Sequence, residues 1–396
     1  MDKSAKSTLK SLIWTVYFPS FLLAIGQGIM IPILPLHARE TMGANELMIG
    51  MVVAARHFGT MGFDIPAGVL ISMFGLRKTM ISGIVLFAIA AIGTALSPNL
   101  FLLIMCRLLA GVSYSFWSIS RHSYIAINVP YSIRGRSLSF FGGVFRIGTI
   151  IGPLLGGVLA EYVNIRTPFF AQAVLAIITL IVVLITSRTI SDENIKHEEN
   201  SSVNNLRSTF LLHKRDFASI GLMAVALQFV RSAREFIIPV LGDDMGLRKD
   251  EIGFITTLSF SIDAMMFPLA GIVMDKYGRK WSGIPAFALM GLSMIMVPFT
   301  STYYMLTIVG LLAGMGNGVS SGLVLTIGSD LAPKKEPSKF LGFWRFITDS
   351  GHAVAPMGLG WVAASYTLGL ASLLFSSIAG LGIIMLLLFV KEPSEK

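Results

Sequence analysis

Apolar residues run in blocks along almost the whole chain, and polar residues are gathered into the short gaps between them. A spanning helix needs roughly 20 mostly apolar residues. Runs of that size occur at about 12–36, 47–73, 79–97, 100–127, 138–160, 167–187, 217–241, 250–274, 282–299, 303–329, 339–362 and 366–390. Strands of a membrane barrel alternate over about ten residues, so runs this long exclude that architecture. The pattern predicts an all-α membrane protein of twelve transmembrane helices.

Residues 189–216 form the long hydrophilic stretch, with Asp192, Glu193, Glu198 and Glu199 close together. It divides the chain into an N-terminal six-helix bundle (1–188), a cytoplasmic linker (189–216) and a C-terminal six-helix bundle (217–396). The two halves are repeats at a constant offset of 203 residues. Gly43, Gly50, Gly68 and Gly75 recur as Gly246, Gly253, Gly271 and Gly278. Ala110-Gly111 recurs as Ala313-Gly314, and Pro130, Gly148, Pro153 and Gly157 as Pro333, Gly351, Pro356 and Gly360. Glycine and proline dominate the matches because they set backbone geometry and close helix approach. Six spans per half is an even number, so both halves insert with the same orientation. Parallel repeats with a substrate site at their interface suit alternating access.

Composition agrees with this pattern. Charged residues make up 13% of the chain, about half the share in soluble domains. The net charge of +9 is no sign of a nucleic-acid partner. Basic residues concentrate in one set of alternate gaps, among them Lys3, Lys6, Lys10, Arg77, Lys78, Arg134, Arg136, Arg279 and Lys280. The opposite set holds Arg39, Arg166, Arg248 and Lys249. That asymmetry predicts both termini in the cytoplasm, with the chain in a cytoplasmic (inner) or plasma membrane. The single cysteine, Cys106, cannot form an internal disulfide. The basic N-terminus before a long apolar run is read as a retained first helix.

Four motifs sharpen the picture. Between spans 8 and 9 stands Gly271-Ile-Val-Met-Asp275-Lys276-Tyr-Gly278-Arg279-Lys280. Its first-half counterpart is Gly68-Val-Leu-Ile-Ser72-Met-Phe-Gly75-Leu76-Arg77-Lys78. Span 5 holds Gly148-x-x-x-Gly152-Pro153-x-x-Gly156-Gly157, span 1 holds Ile25-Gly26 followed by Pro32-Ile33-x-Pro35, and span 4 holds Arg107-x-x-Ala110-Gly111. In this order they resemble the signatures of the major facilitator superfamily, and in particular of its twelve-helix drug:proton antiporter family. The resemblance covers essentially the full length. It implies two pseudo-symmetric six-helix bundles. It also implies a loop latch of glycines, Asp275 and basic residues, an antiporter signature in span 5, and a role in proton movement for Arg107. Ser72 and Leu76 replace an acid and a base of that loop, so a strong charge latch is not expected in the first half.

Ionisable residues at bilayer depth cost at least about 2.5–3.5 kcal/mol, which makes each a functional candidate. They are Arg56, Asp64, Arg107, Arg121, His122, Arg146, Arg231, Arg234, Glu235, Asp263, Arg345, Asp349 and His352. Spans 3, 6, 9 and 12 carry none, and every third helix is peripheral in the family. Two pairings compete. Arg146–Asp263 and Arg345–Asp64 could bridge the halves in a cytoplasm-closed state. Alternatively Arg345 pairs with Asp349 and Arg231 with Glu235, each at i,i+4 on one helix. Asp64, Asp263, Glu235 and Asp349 are the candidate proton carriers, with Arg107. Gln27, Arg56, Trp117, Phe145, Arg146, Arg231, Arg234, Asn317, Arg345 and His352 are candidates for the substrate cavity. Arg121 and His122 are expected to snorkel.

Span 1 lacks the membrane acid usual in exporters of cationic drugs. Seven intramembrane arginines stand against four acids. Hydrophobic cations are therefore expected to be disfavoured relative to neutral or anionic amphiphiles. No His-Glu-x-x-His, Walker loop or cysteine cluster occurs in the sequence. Gly314-x-Gly316-x-Gly318 lacks dinucleotide-site spacing. The expectation is a monomeric, proton-driven exporter of small amphiphiles, not an enzyme, using no cofactor beyond the proton gradient. Its partners are a small-molecule substrate, protons and the lipid bilayer, with no metal. Two alternatives are an importer of a small organic anion and a non-transporting receptor on the same scaffold.

Overall fold

The computed structural model describes residues 12–129, 131–187, 213–333, 337–390 and 392; for 131–136 and 337–339 it describes the backbone alone. The expected linker falls outside these residues up to 212, as do Lys3, Lys6 and Lys10.

Twelve long helices follow in order. They are α1 (Phe18–Met42), α2 (Glu46–Phe74), α3 (Leu76–Leu96), α4 (Leu100–Asn128), α5 (Tyr131–Tyr162) and α6 (Thr167–Thr186). Then come α7 (Leu222–Asp244), α8 (Lys249–Lys276), α9 (Arg279–Met296), α10 in two pieces (Tyr303–Val319 and Leu323–Leu331), α11 (Pro337–Ser365) and α12 (Leu368–Phe389). Nine of the described helices are long and apolar enough to cross a membrane. The other three, α2, α7 and α11, have 29, 23 and 29 residues. At about 1.5 Å per residue each also exceeds a hydrocarbon core of about 30 Å. Their lower apolarity comes from the charges the sequence placed there.

Helix ends repeat at the same offset as the glycines. Gly43 ends α1 at φ +63°, and its N–H reaches the Arg39 carbonyl at 3.0 Å. Gly246 stands beyond α7 at φ +72°. Gly75 and Gly278 turn the chain into α3 and α9 at φ +86° and +103°. A left-handed backbone favours glycine, which has no Cβ to clash. The caps recur as well: Asn99 accepts from the Leu102 N–H at 2.9 Å, and Thr302 from the Met305 N–H at 3.3 Å. Gly322, at φ +83°, has no such twin. It ends the break in α10, while the equivalent stretch of α4 runs on unbroken.

The chain divides into two compact units. The first comprises Met1–Gly43, Ala55–His197 and Arg248–Thr257; the second comprises Ala44–Ala54, Glu198–Leu247 and Leu258–Lys396. Each unit thus includes a short piece of the other repeat. Within the first, α1 packs on α5 and α6, and α3 on α4 and α6. Within the second, α7 packs on α11 and α12, and α9 on α10 and α12. The packing scheme repeats with a shift of six helices. The first unit's core gathers Met80, Ile84, Phe87 and Trp117; the second's gathers Phe217, Phe287, Phe340 and Trp344. Ile181 and Ile185 of α6 and Leu387 and Leu388 of α12 are exposed, as lipid-facing residues are.

Glycines set the closest approaches. A Cβ on Gly148 would meet the Ala24 Cβ at 2.7 Å, and one on Gly152 would meet the Gly28 Cα at 2.5 Å. Gly156 lies against the Ile29 backbone. Gly157 turns instead to Lys249 and Asp250, and the Pro153 carbonyl to Gly253. The span 5 signature therefore serves two contacts in the first unit, α1 and the start of α8. Within the second unit Gly360 meets Glu46 and Leu47, and the Pro356 carbonyl meets Gly50. These are the same contacts moved by 203 residues.

Candidate functional site

Two polar clusters are built on these contacts, one in each unit. In the second, Gly314 lies against the Ser259 carbonyl and Gly318 against Asp263, which holds α10 tightly to α8. Asp263 is buried, at 3% exposure, and so is Arg234 of α7, at 6%. The Arg234 Nη2 donates to Asp263 Oδ2 at 2.9 Å, and the Asn317 amide donates to the same oxygen at 2.5 Å. Asn317 in turn accepts from Arg231 Nε at 2.5 Å, and Arg231 Nη1 donates to Gln228 at 2.9 Å. The Arg234 guanidinium also stands over the Phe260 ring at 4.2 Å. A buried ion pair holds its charges only where hydrogen bonds satisfy the remaining lone pairs, and Asn317 supplies one.

The helix break lies beside this network. The Asn317 carbonyl accepts from the Ser320 and Ser321 hydroxyls at 2.9 and 3.3 Å, just before α10 stops. Interrupted spans are where membrane transporters place binding groups. Neither Gln228 nor the break was singled out by sequence. Gly322 sits among too many glycines in span 10 to stand out, and Gln228 is uncharged.

In the first unit, Arg56 of α2 donates to Gln27 Oε1 of α1 at 2.9 Å and stands 5.0 Å from the Tyr114 ring centre of α4. Gly59 and Gly111 bring the two backbones together at this point. Thr60 Oγ1 donates to the Arg56 and Gly111 carbonyls at 3.0 and 3.3 Å. Arg121 stands 5.9 Å from the same Tyr114 ring, 4.4 Å from Phe141 and 5.4 Å from Phe145.

Several expectations change. Within the second unit Asp263 is paired with Arg234, a partner the sequence did not offer. Arg146 is half-buried on α5, and its carbonyl accepts from Thr149 at 2.8 Å. Arg231 turns to Asn317 of α10 and to Gln228 one turn back on its own helix, not to Glu235. Arg345 does pair with Asp349, at 3.4 Å on an exposed face. Arg121 is 3% exposed and ringed by aromatics, so it does not snorkel. Trp117 is 2% exposed and packs in the first unit's core, which removes it from the cavity candidates. Arg107 is buried on α4, while Asp64 and Glu235 are half-buried. His352 is half-buried, and its carbonyl accepts from Ser232 at 3.3 Å.

The loop motif is also rearranged. Arg279 binds Asp330 with Nε and Nη2 at 2.9 and 3.3 Å, whereas Asp275 is exposed. Glu392 accepts from the Arg279 and Lys280 N–H groups at 2.7 and 2.8 Å, capping α9. A Cβ on Gly68 or Gly271 would meet nothing within 4 Å, so neither serves a close helix contact. The first-repeat positions matching Asp275, Arg279 and Asp330 are Ser72, Leu76 and Ile127. The acid, the base and its partner are all missing there, and Leu76 is buried in an apolar cluster. Arg77 instead donates to Ser187 Oγ at 3.1 Å.

Among the described residues, twelve helices of membrane-spanning length in two related sets of six define a multi-pass membrane protein. The profile of the Major Facilitator Superfamily matches residues 16–233 and 220–396, and the chain belongs to that superfamily. An uncharacterized MFS-type transporter of Methanocaldococcus jannaschii is 21% identical over 379 residues, 94% of this chain and 97% of the relative. Multidrug resistance protein 2 of Bacillus subtilis is 27% identical over 270 residues, 66% of each chain. The fold is similar to that of a D-xylose-proton symporter, with a TM-score of 0.74 at 17% identity over 97% of this chain and 98% of the other. The chain is therefore a transporter with a small-molecule substrate, embedded in the lipid bilayer, and it resembles the drug efflux members of the family.

Proposed function

We propose that the chain is a proton-coupled exporter of small amphiphilic compounds that works by alternating access, with Asp263 as proton carrier and Arg234 as its movable partner. The observation that carries this is the buried 2.9 Å Arg234–Asp263 pair beside the break in α10. A carboxylate held by a guanidinium keeps its charge in an apolar setting. Once separated from it, the carboxylate is tolerated there only after taking up a proton. A break three residues from Asn317, the amide that also bonds Asp263, lets the second piece of α10 move without tearing a continuous helix. The likeness to multidrug resistance protein 2 of Bacillus subtilis supports export over import.

In this scheme residues 1–188 and 217–396 are the moving halves, 189–216 links them in the cytoplasm, both termini are cytoplasmic, and one copy suffices. The driving force is the proton gradient, with no cofactor. The test is a pH-sensitive dye inside proteoliposomes of the purified chain, read against a panel of amphiphiles. Substrate moving against protons supports export. Substrate moving with protons assigns import, and substrate movement indifferent to the gradient removes the coupling. The second reading, import of an organic anion, draws on Arg56 having no carboxylate beside it among the described residues.

A further inference from the structure

We infer that the Arg56 cluster of the first unit is a docking site for the oxyanion head of an amphiphilic organic anion. The inference rests on the transporter function proposed above and adds the charge class of the substrate and the groups that read it.

Arg56 has five N–H donors in a fixed plane. Its described partners are one amide oxygen, Gln27 Oε1, and one aromatic face, Tyr114. Both orient the guanidinium and neither neutralises it. The side chain is half-buried, so it is not simply bathed in water. Its backbone is pinned by the close α2–α4 approach at Gly59 and Gly111 and by Thr60, so the group is held in place before any ligand arrives. A second guanidinium, that of Arg121, stands 5.9 Å from the centre of the same Tyr114 ring, within the range of a cation–π contact. A planar oxyanion meets a guanidinium such as that of Arg56 through two parallel hydrogen bonds.

The surroundings suit an apolar tail. Phe141 and Phe145 flank Arg121 on α5. Between them lie Gly142 and Gly143, where an added Cβ would meet nothing within 4 Å. The cluster therefore offers a charged end with aromatic rings of α5 against it, and room at the α5 glycines that lie between those rings in sequence. That combination fits an aryl or alkyl carboxylate or sulfonate and repels an ammonium.

The experiment compares three probes with one body and different heads: 4-butylbenzoate, 4-butylbenzamide and 4-butylbenzylammonium. Binding to the purified full chain in nanodiscs is measured by calorimetry. The benzoate is expected to bind at least tenfold more tightly than the ammonium. Arg56→Gln is expected to lower benzoate affinity at least tenfold and leave the benzamide within twofold. Arg56→Lys keeps the charge without the planar fork, so it should retain the preference for benzoate over ammonium at reduced strength. Gly142→Leu, which fills the open space, should weaken all three probes together and leave their order unchanged. Equal or tighter ammonium binding by the wild type overturns the inference, as does an unchanged benzoate preference in Arg56→Gln. The dye assay in proteoliposomes separates this from the coupling proposal. If the ammonium drives proton movement, the anion site is wrong and coupling stands. If the benzoate binds through Arg56 but moves no protons, the anion site stands and coupling is wrong.

Discussion

Replacing Asp263 by Asn removes the negative charge while keeping shape and one hydrogen-bonding oxygen. What remains is Arg234, 6% exposed, with its only described carboxylate gone. Removing one partner of a buried pair costs about 3–5 kcal/mol, because the other charge stays behind uncompensated. Arg234→Gln takes the guanidinium away from the Asp263 carboxylate, which keeps the Asn317 hydrogen bond, and should also destabilise the protein. The double variant Arg234→Gln/Asp263→Asn leaves two neutral amides and neither charge of the pair. It should be more stable than the sum of the single losses implies, by about 1–3 kcal/mol of coupling. Cys106 makes the assay direct. It is the single cysteine and it is buried, so a thiol-reactive fluorophore labels the chain only as it unfolds. Melting curves of the four proteins in one detergent complete the cycle. If the two single effects simply add, with coupling below about 0.5 kcal/mol, the pair does not act as a unit and the reasoning fails.

Other outcomes follow from the packing and the caps. Gly152→Leu drives a side chain into the Gly28 backbone, 2.5 Å from where its Cβ would stand, and should abolish folded, extractable protein; Gly142→Ala, which meets nothing, should behave as wild type in the same size-exclusion profile. Trp117→Ala should cost about 3–5 kcal/mol, as deletion of a fully packed aromatic does, without changing which substrates bind; altered selectivity at unchanged stability would return it to the cavity. Glu392→Ala uncaps the Arg279 and Lys280 N–H groups and should cost about 1 kcal/mol in the Cys106 labelling assay.

Much of the fold was legible because its signals are local. Apolar runs located all twelve helices, and a constant offset exposed the repeat. The glycine pairs proved to be two kinds of feature. Gly43/Gly246 and Gly75/Gly278 hold a positive φ, while Gly50/Gly253 and Gly157/Gly360 sit where backbones meet. The pairing of charges was less legible. Spacing along one helix pointed to Arg231–Glu235, yet Arg231 and Arg234 reach across to Asn317 and Asp263, because burial rewards a satisfied network over an i,i+4 neighbour. Arg345–Asp349, on an exposed face, follows the local rule. Trp117 looked like a cavity residue because an aromatic in a polar-flanked span carries no label for the side it faces. The break at Gly322 and the cap from Glu392 depend on contacts far along the chain, which composition cannot register.

The most direct measurement is proton movement by wild type and Asp263→Asn in matched proteoliposomes, each given an outward substrate gradient and no initial pH difference. Wild type should shift the lumenal pH as substrate leaves, and Asp263→Asn should still exchange labelled substrate for unlabelled while the lumenal pH stays constant. A variant that moves protons as wild type does would contradict the account, because the carboxylate assigned to carry them would be absent.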